Sequence, residues 1–160
     1  MQSRKLFLRG GFNMNVITTF KDKRREKQIT YERKMLRELS LEGLRNTVNH
    51  HFGNYFKTGT LFSSAIEEGC LDIAIESYLL GAKLSRFGHF GESMEEVKKR
   101  SYPDEKYLID TLYEFLTYWG QIGESDFISE SLYYTCVHYV EHWWTEGFRK
   151  GEKRYRLRLH

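Results

Sequence analysis

Between residues 61 and 86, apolar and small residues return at steps of three and four. Phe62, Ile66, Gly69, Ile73, Ser77, Leu80 and Leu84 share one face of a 3.6-residue helix. Leu71, Ile75, Tyr78 and Leu79 fall on the opposite face. A helix that is apolar on two sides is covered by neighbours on both, so residues 61–86 are expected to form the buried centre of a bundle. Gly69, with no side chain, lets another element come close to the backbone there.

The other periodic stretches are amphipathic helices. Residues 21–39 are dense in Lys, Arg and Glu, with Ile29, Met35, Leu36 and Leu39 as a thin apolar seam, which predicts an exposed helix. Ser40 is placed to cap a helix over 41–56 whose Leu41, Leu44, Val48 and Phe52 recur at helical spacing. After a turn at Lys57-Thr58-Gly59-Thr60 and the central helix, the glycine-punctuated run Phe87-Gly88-His89-Phe90-Gly91-Glu92 predicts a loop. Ser93 and Glu96 have the spacing of a capping box and open a short helix to Arg100. Pro103, followed by Asp104 and Glu105, predicts a new helix start. That helix buries Leu108, Leu112, Phe115 and Trp119 and stops at Gly120 and Gly123. Ser125 and Asp126 can cap the last helix, whose stripe is Ile128, Leu132, Thr135, Tyr139, Val140 and Trp143 and which runs to about Phe148.

The fold expected is therefore all-α, a single-domain bundle of five or six helices spanning 21–148. Residues 1–20 are read as a disordered or start-site extension, Met14 offering a second start, and 149–160 as a basic C-terminal tail. Composition agrees: aromatics are 16% of the 160 residues, and one proline leaves little material for the many turns of an all-β fold. No apolar run approaches the roughly 20 residues needed to cross a bilayer. The Leu6-Phe7-Leu8 run is too short for a secretion signal, and Cys70 and Cys136 sit inside helical patterns as buried thiols would. A cytoplasmic location is the expectation.

Net charge is +3, and its distribution is uneven. Residues 1–40 hold 11 Lys/Arg against 4 Asp/Glu and residues 149–160 hold 6 against 1, whereas 41–148 hold 8 against 17. Basic ends flank an acidic body. The ends could meet phosphates, but the acidic body and the lack of a base-reading motif weigh against nucleic acid as partner.

Candidate chemistry is sparse. Glu68, Asp72 and Glu76 are spaced one turn apart, and the wheel puts Asp72 and Glu76 between the two apolar faces of the central helix. Carboxylates drawn inward need a partner. Either a basic residue such as Arg45 or Arg86 supplies it, or the acids join His89 and Glu92 as ligands for a metal or small molecule. His138-Tyr139-Val140-Glu141-His142 matches H-x-x-E-H, the inverted zinc-protease pattern, but the further acidic ligand such enzymes take from downstream has almost no chain left to come from. His50 and His51, being adjacent, point to different sides of a helix. No phosphate loop, cofactor fingerprint or nucleophile elbow is present, so no cofactor and no catalytic residue is assigned.

Three stretches carry a resemblance. Leu36-Arg37-Glu38-Leu39-Ser40-Leu41, the run Glu68-Gly69-Cys70-Leu71-Asp72-Ile73-Ala74-Ile75-Glu76-Ser77-Tyr78-Leu79-Leu80-Gly81 with Phe87-Gly88 and Gly91-Glu92-Ser93, and Trp143-Trp144-Thr145-Glu146-Gly147-Phe148 resemble the YbaK-like family. This is a family of small uncharacterised proteins of Bacillus relatives, distinct from the aminoacyl-tRNA deacylase that shares the name. The resemblance runs from Met14 to the C-terminus and implies no activity, some relatives carrying only a sporulation-signalling label. The function expected is thus a non-enzymatic regulatory or interaction module with a protein partner or a second copy, anchored by Tyr139, Trp143, Trp144 and Phe148. The alternative is a metal- or ligand-binding helical enzyme built on the acidic stripe.

Overall fold

A computed structural model describes residues 12–55, 64–119 and 126–158. Every regular element among these residues is an α-helix: α1 (Phe12–Leu36), α2 (Leu41–Phe52), α3 (Ser64–His89), α4 (Met94–Trp119) and α5 (Asp126–Arg156). None is long and apolar enough to cross a membrane. The turn expected at 57–60, Phe62, Gly120, Gly123 and Ser125 lie outside the described residues, as do the side chains of Trp119 and Ile128.

The chain divides into two compact units, Met1–Lys34 and Met35–His160. In the first, α1 starts at Phe12, nine residues before the periodicity predicted, and residues 20–30 are exposed on every side. Its Lys and Arg residues have high helix propensity, which carries the helix where no apolar stripe exists.

The second unit is the expected bundle. Ser40 caps α2: its hydroxyl accepts from the Gly43 N–H at 3.1 Å, and Leu44, Val48 and Phe52 are buried one turn apart. The central helix α3 buries Ile66, Cys70, Ile73, Ala74, Ser77, Tyr78, Gly81, Ala82 and Ser85. The buried face thus lies slightly to one side of the predicted one, on its smaller residues. Leu80 and Leu84 are half-buried and pack against a cluster of Val97, Trp144 and Phe148. Ser77 and Ser85 enter the core without cost to their hydroxyls, which donate to the Ile73 and Ala82 carbonyls of the same helix.

Contacts such as Tyr139 with Cys70 and Gly147 with Tyr78 show α5 running parallel to α3, in intimate contact with it. The helix α4 runs antiparallel to both, the Trp144 indole donating to Ser101 Oγ at 2.9 Å and Phe115 lying on Gly69. The close approach expected at Gly69 is therefore made by a ring.

Besides the start of α1, and α2 ending at Phe52 where 56 was expected, other boundaries differ from the sequence reading. The predicted loop from Phe87 is helix as far as His89; the reversal is made at Gly91, whose φ of +109° suits glycine, with the Glu92 N–H returning to the Phe87 carbonyl at 3.0 Å. Ser93 and Glu96 do form the capping box, at 3.1 and 3.2 Å. The helix they open does not stop at Arg100 but runs through Pro103 to Trp119. Proline deprives the Lys99 carbonyl of its helical partner, yet Lys99, Tyr102, Pro103 and Asp104 all face solvent, where water replaces the lost bond, while Val97, Ser101 and Glu105 keep the buried side intact. Finally, α5 continues past Phe148 to Arg156, because Gly151 and Arg154 still pack: Gly151 lies against Ser85, and Arg154 donates to Glu38 at 2.9 Å.

Candidate functional site

The residues expected to carry chemistry are not brought together. Asp72 and Glu76 are exposed and make no ion pair among the described residues. The correction has a steric cause: the buried face of α3 is its small-residue side, which leaves both acids pointing to water. Arg45 pairs with Glu67 at 2.8 Å, one residue before the predicted acidic series. His89 is exposed and stacked on Tyr155 at 5.1 Å, while Glu92 accepts from Arg100. Among the described residues no group of three His, Cys, Asp or Glu stands at metal-binding distance.

The proposed aromatic anchors are likewise corrected. Tyr139, Trp144 and Phe148 are 0–1% exposed and Trp143 7%, so they form the chain's own core instead of a surface. Their spacing on α5 gave this face to α3. Burial raises the Tyr139 phenol well above its usual range, and the hydroxyl donates to the Cys70 carbonyl at 2.8 Å. Burial, then the Glu67 charge, pushes the Cys70 thiol up to about 12; burial and neighbouring Cys70 push Cys136 up too. Both stay protonated at neutral pH and are poor nucleophiles.

Two other constellations emerge, neither legible as a linear motif. The first is histidine-rich and joins α2 to α5. His51, half-buried, meets Tyr139 edge to face at 5.3 Å, His50 at 5.2 Å and His142 at 6.0 Å between ring centroids. Its Nδ1 lies 2.9 Å from the Thr47 carbonyl, which can only accept, so the proton sits on Nδ1. Burial lowers its pKa most; the Thr47 carbonyl raises it, and His50, His142 and His138 lower it further.

A depressed folded-state value makes stability pH-dependent. Above the ordinary value of 6.5 both folded and unfolded His51 are neutral, and its full contribution is present. As pH falls below 6.5 the unfolded chain takes up the proton first, and stability is lost until the lower folded-state value is passed. Melting temperature should therefore drop as pH falls from about 7.5 through 6.5, and His51→Phe, which keeps a ring against Tyr139, should flatten that part of the profile. An unaltered slope in the variant would show that other groups set it.

The second constellation is a groove of about 700 Å³ between α4 and α5, lined by Ile109, Val137, Tyr102 and Tyr133 among others. Tyr133 donates to Asp110 at 3.0 Å, and Asp110, held mainly by its bond from Lys106, keeps a carboxyl below the usual range. At the rim Lys98 reaches Glu105 at 2.8 Å and Glu141 at 3.9 Å, with its ammonium 4.8 Å from the Trp144 ring centre. Tyr102, Tyr107 and Tyr134 stand 57–70% exposed on these two helices. Only the pairing of α4 with α5 brings Tyr102 and Tyr133 to one groove.

Residues 14–160 match the family described as a protein of unknown function (DUF2521). The chain is similar to the uncharacterized protein YbaK of Bacillus subtilis (strain 168), with 33% identity over 146 residues that cover 91% of this chain and 99% of the relative. No solved structure matches.

Proposed function

The chain belongs to the DUF2521 family of proteins of unknown function, and from that premise we propose that it is a non-catalytic interaction module that self-associates through the groove between α4 and α5. The observation that carries this reading is the surface itself: a groove in which Ile109 and Val137 lie with Tyr133 and the exposed Tyr102, a residue type enriched at interfaces. The occupant follows from the rim. Lys98, Lys99 and Lys106 are balanced there by Glu95, Glu105 and Glu141. A patch carrying both signs in equal number has no net charge to repel a second copy of itself, as a twofold interface between identical chains favours, whereas a strongly basic or acidic partner would find half of it repulsive. The acidic stripe gives the enzyme alternative little support, since Asp72 and Glu76 face solvent away from His89 and Glu92.

Native mass spectrometry of the untagged full chain tests the reading. A dimer is expected, weakened at least tenfold by Tyr102→Glu and by Lys99→Glu, both at exposed positions that line the groove. A monomer at all accessible concentrations, or a dimer indifferent to both substitutions, would sink it.

A further inference from the structure

The two compact units of the chain differ in charge. Residues 1–34 hold 10 Lys/Arg against 3 Asp/Glu, whereas residues 35–160 hold 15 against 19. The acidic balance that weighs against nucleic acid as a partner therefore belongs to the second unit alone. In the first unit, α1 presents its charges in an ordered way. Successive residues turn by about 100° on an α-helix, which places Lys23, Arg24, Lys27 and Lys34 within an arc of about 100° on one face, with Phe20 and Tyr31 among them. Asp22 and Glu26 fall on the opposite side, and Glu32, at the edge of the basic face, accepts from Gln28 at 2.9 Å. Lys23, Arg24 and Lys27 are exposed, and none of them pairs with a carboxylate among the described residues.

The shape of this face narrows what it can hold. A helix that lies on a membrane surface needs an apolar face, and a helix held in a protein groove needs apolar anchors one turn apart. Between residues 20 and 30 the apolar side chains are Phe20 and Ile29, which point to opposite sides of the helix, so α1 offers neither there. A row of phosphates asks only for positive charge and room. A helix with its side chains is about 10–12 Å across, and the major groove of B-DNA is about 12 Å wide, whereas that of double-stranded RNA is too narrow. With 25 residues α1 reaches about 37 Å, roughly one turn of the duplex.

We propose that α1 binds double-stranded DNA along the major groove, with Lys23, Arg24, Lys27 and Lys34 contacting phosphates and no base sequence being read. Salt screens exposed charges that stand more than about 8–10 Å apart, so only acids within that distance of the face can oppose it, and on α1 itself Asp22 and Glu26 are turned away. The inference does not rest on the groove between α4 and α5, which lies in the other unit.

Fluorescence anisotropy of a labelled duplex of about 30 base pairs, titrated with the untagged full chain, tests the proposal. Saturable binding is expected in about 50 mM salt, with the same affinity for a duplex of unrelated sequence. Four phosphate contacts predict a slope of log K against log salt of about −3.6, a loss of roughly a hundredfold between 50 and 200 mM. Lys23→Gln, Arg24→Gln and Lys27→Gln combined keep the helix propensity of α1, which circular dichroism checks. They should weaken binding at least tenfold and make the slope shallower by about 2.7. Arg149→Gln with Lys153→Gln, exposed at the other basic end, should leave both quantities unchanged. No saturable binding in about 50 mM salt overturns the proposal. So does binding that survives the triple substitution, or that is lost with the pair on α5. Binding to phosphatidylserine-containing vesicles but not to the duplex would also overturn it, in favour of a membrane surface.

Discussion

Gly147→Ala is expected to destabilise the chain by about 3 kcal/mol and to lower its melting temperature by roughly 6–12 °C. In an exposed helix interior the same change would raise stability by up to about 1 kcal/mol, since alanine is the better helix former. Here packing reverses the sign. A Cβ at Gly147 would lie closer than 3.0 Å to the backbone carbonyl of Tyr78 on α3, and one at Gly81 would meet the Trp144 carbonyl on α5 in the same way. Each glycine faces the other helix's backbone, which cannot swing aside as a side chain can, so the added methyl must push two long parallel helices apart along the core. Gly43→Ala in α2 is the internal control: its Cβ would find only ordinary contacts near 3.6 Å with Ser40, and stability should hold or rise. Thermal unfolding of the three proteins checks this. A Gly147→Ala variant as stable as the Gly43→Ala one would mean that α3 and α5 do not meet backbone to backbone.

The pairing of α3 with α5 also marks the limit of what the sequence could say. Periodicity identifies a helix and its apolar face, and Leu44, Val48 and Phe52, or Leu132, Tyr139 and Val140, lie buried where their spacing put them. Local chemistry was equally legible at Ser40 and at the Ser93–Glu96 box, because a cap is decided by residues three apart. Errors came where the deciding partner was distant. On α3 the large Leu80 and Leu84 suggested the contact face, but a neighbour carrying Gly147 and Gly151 selects the smaller residues Gly81, Ala82 and Ser85, and so turns Asp72 and Glu76 outward. Pro103 is a helix start by local rules; a buried side made by Val97, Ser101 and Glu105 carries the helix past it. Trp143, Trp144 and Phe148 are equally good anchors for a partner or for a core, and only the position of α3 decides. The contact of His51 with His142 was hidden for the same reason, since only the packing of α2 on α5 brings the two rings together.

Trp144→Ala is expected to cost about 4 kcal/mol, within the range for deleting a large buried ring. Trp144 is fully buried, stacks on Phe148 at 5.1 Å, and lies beneath the Lys98 ammonium, so one side chain ties α5 to α4 beside the α3 contact. Its indole N–H is the polar part of that contact, donating to Ser101 Oγ, itself fully buried. Ser101→Ala would leave the N–H buried without an acceptor and should cost about 1–3 kcal/mol. Trp144→Phe keeps most of the ring but strands the Ser101 hydroxyl. Trp144→Phe with Ser101→Ala removes both halves of the bond, and should destabilise by less than the sum of the two single changes, since no unpaired group remains. Urea unfolding of the four proteins measures the coupling directly. Strict additivity would show that the indole and the serine do not bond, and that α4 is held to α5 by apolar packing alone.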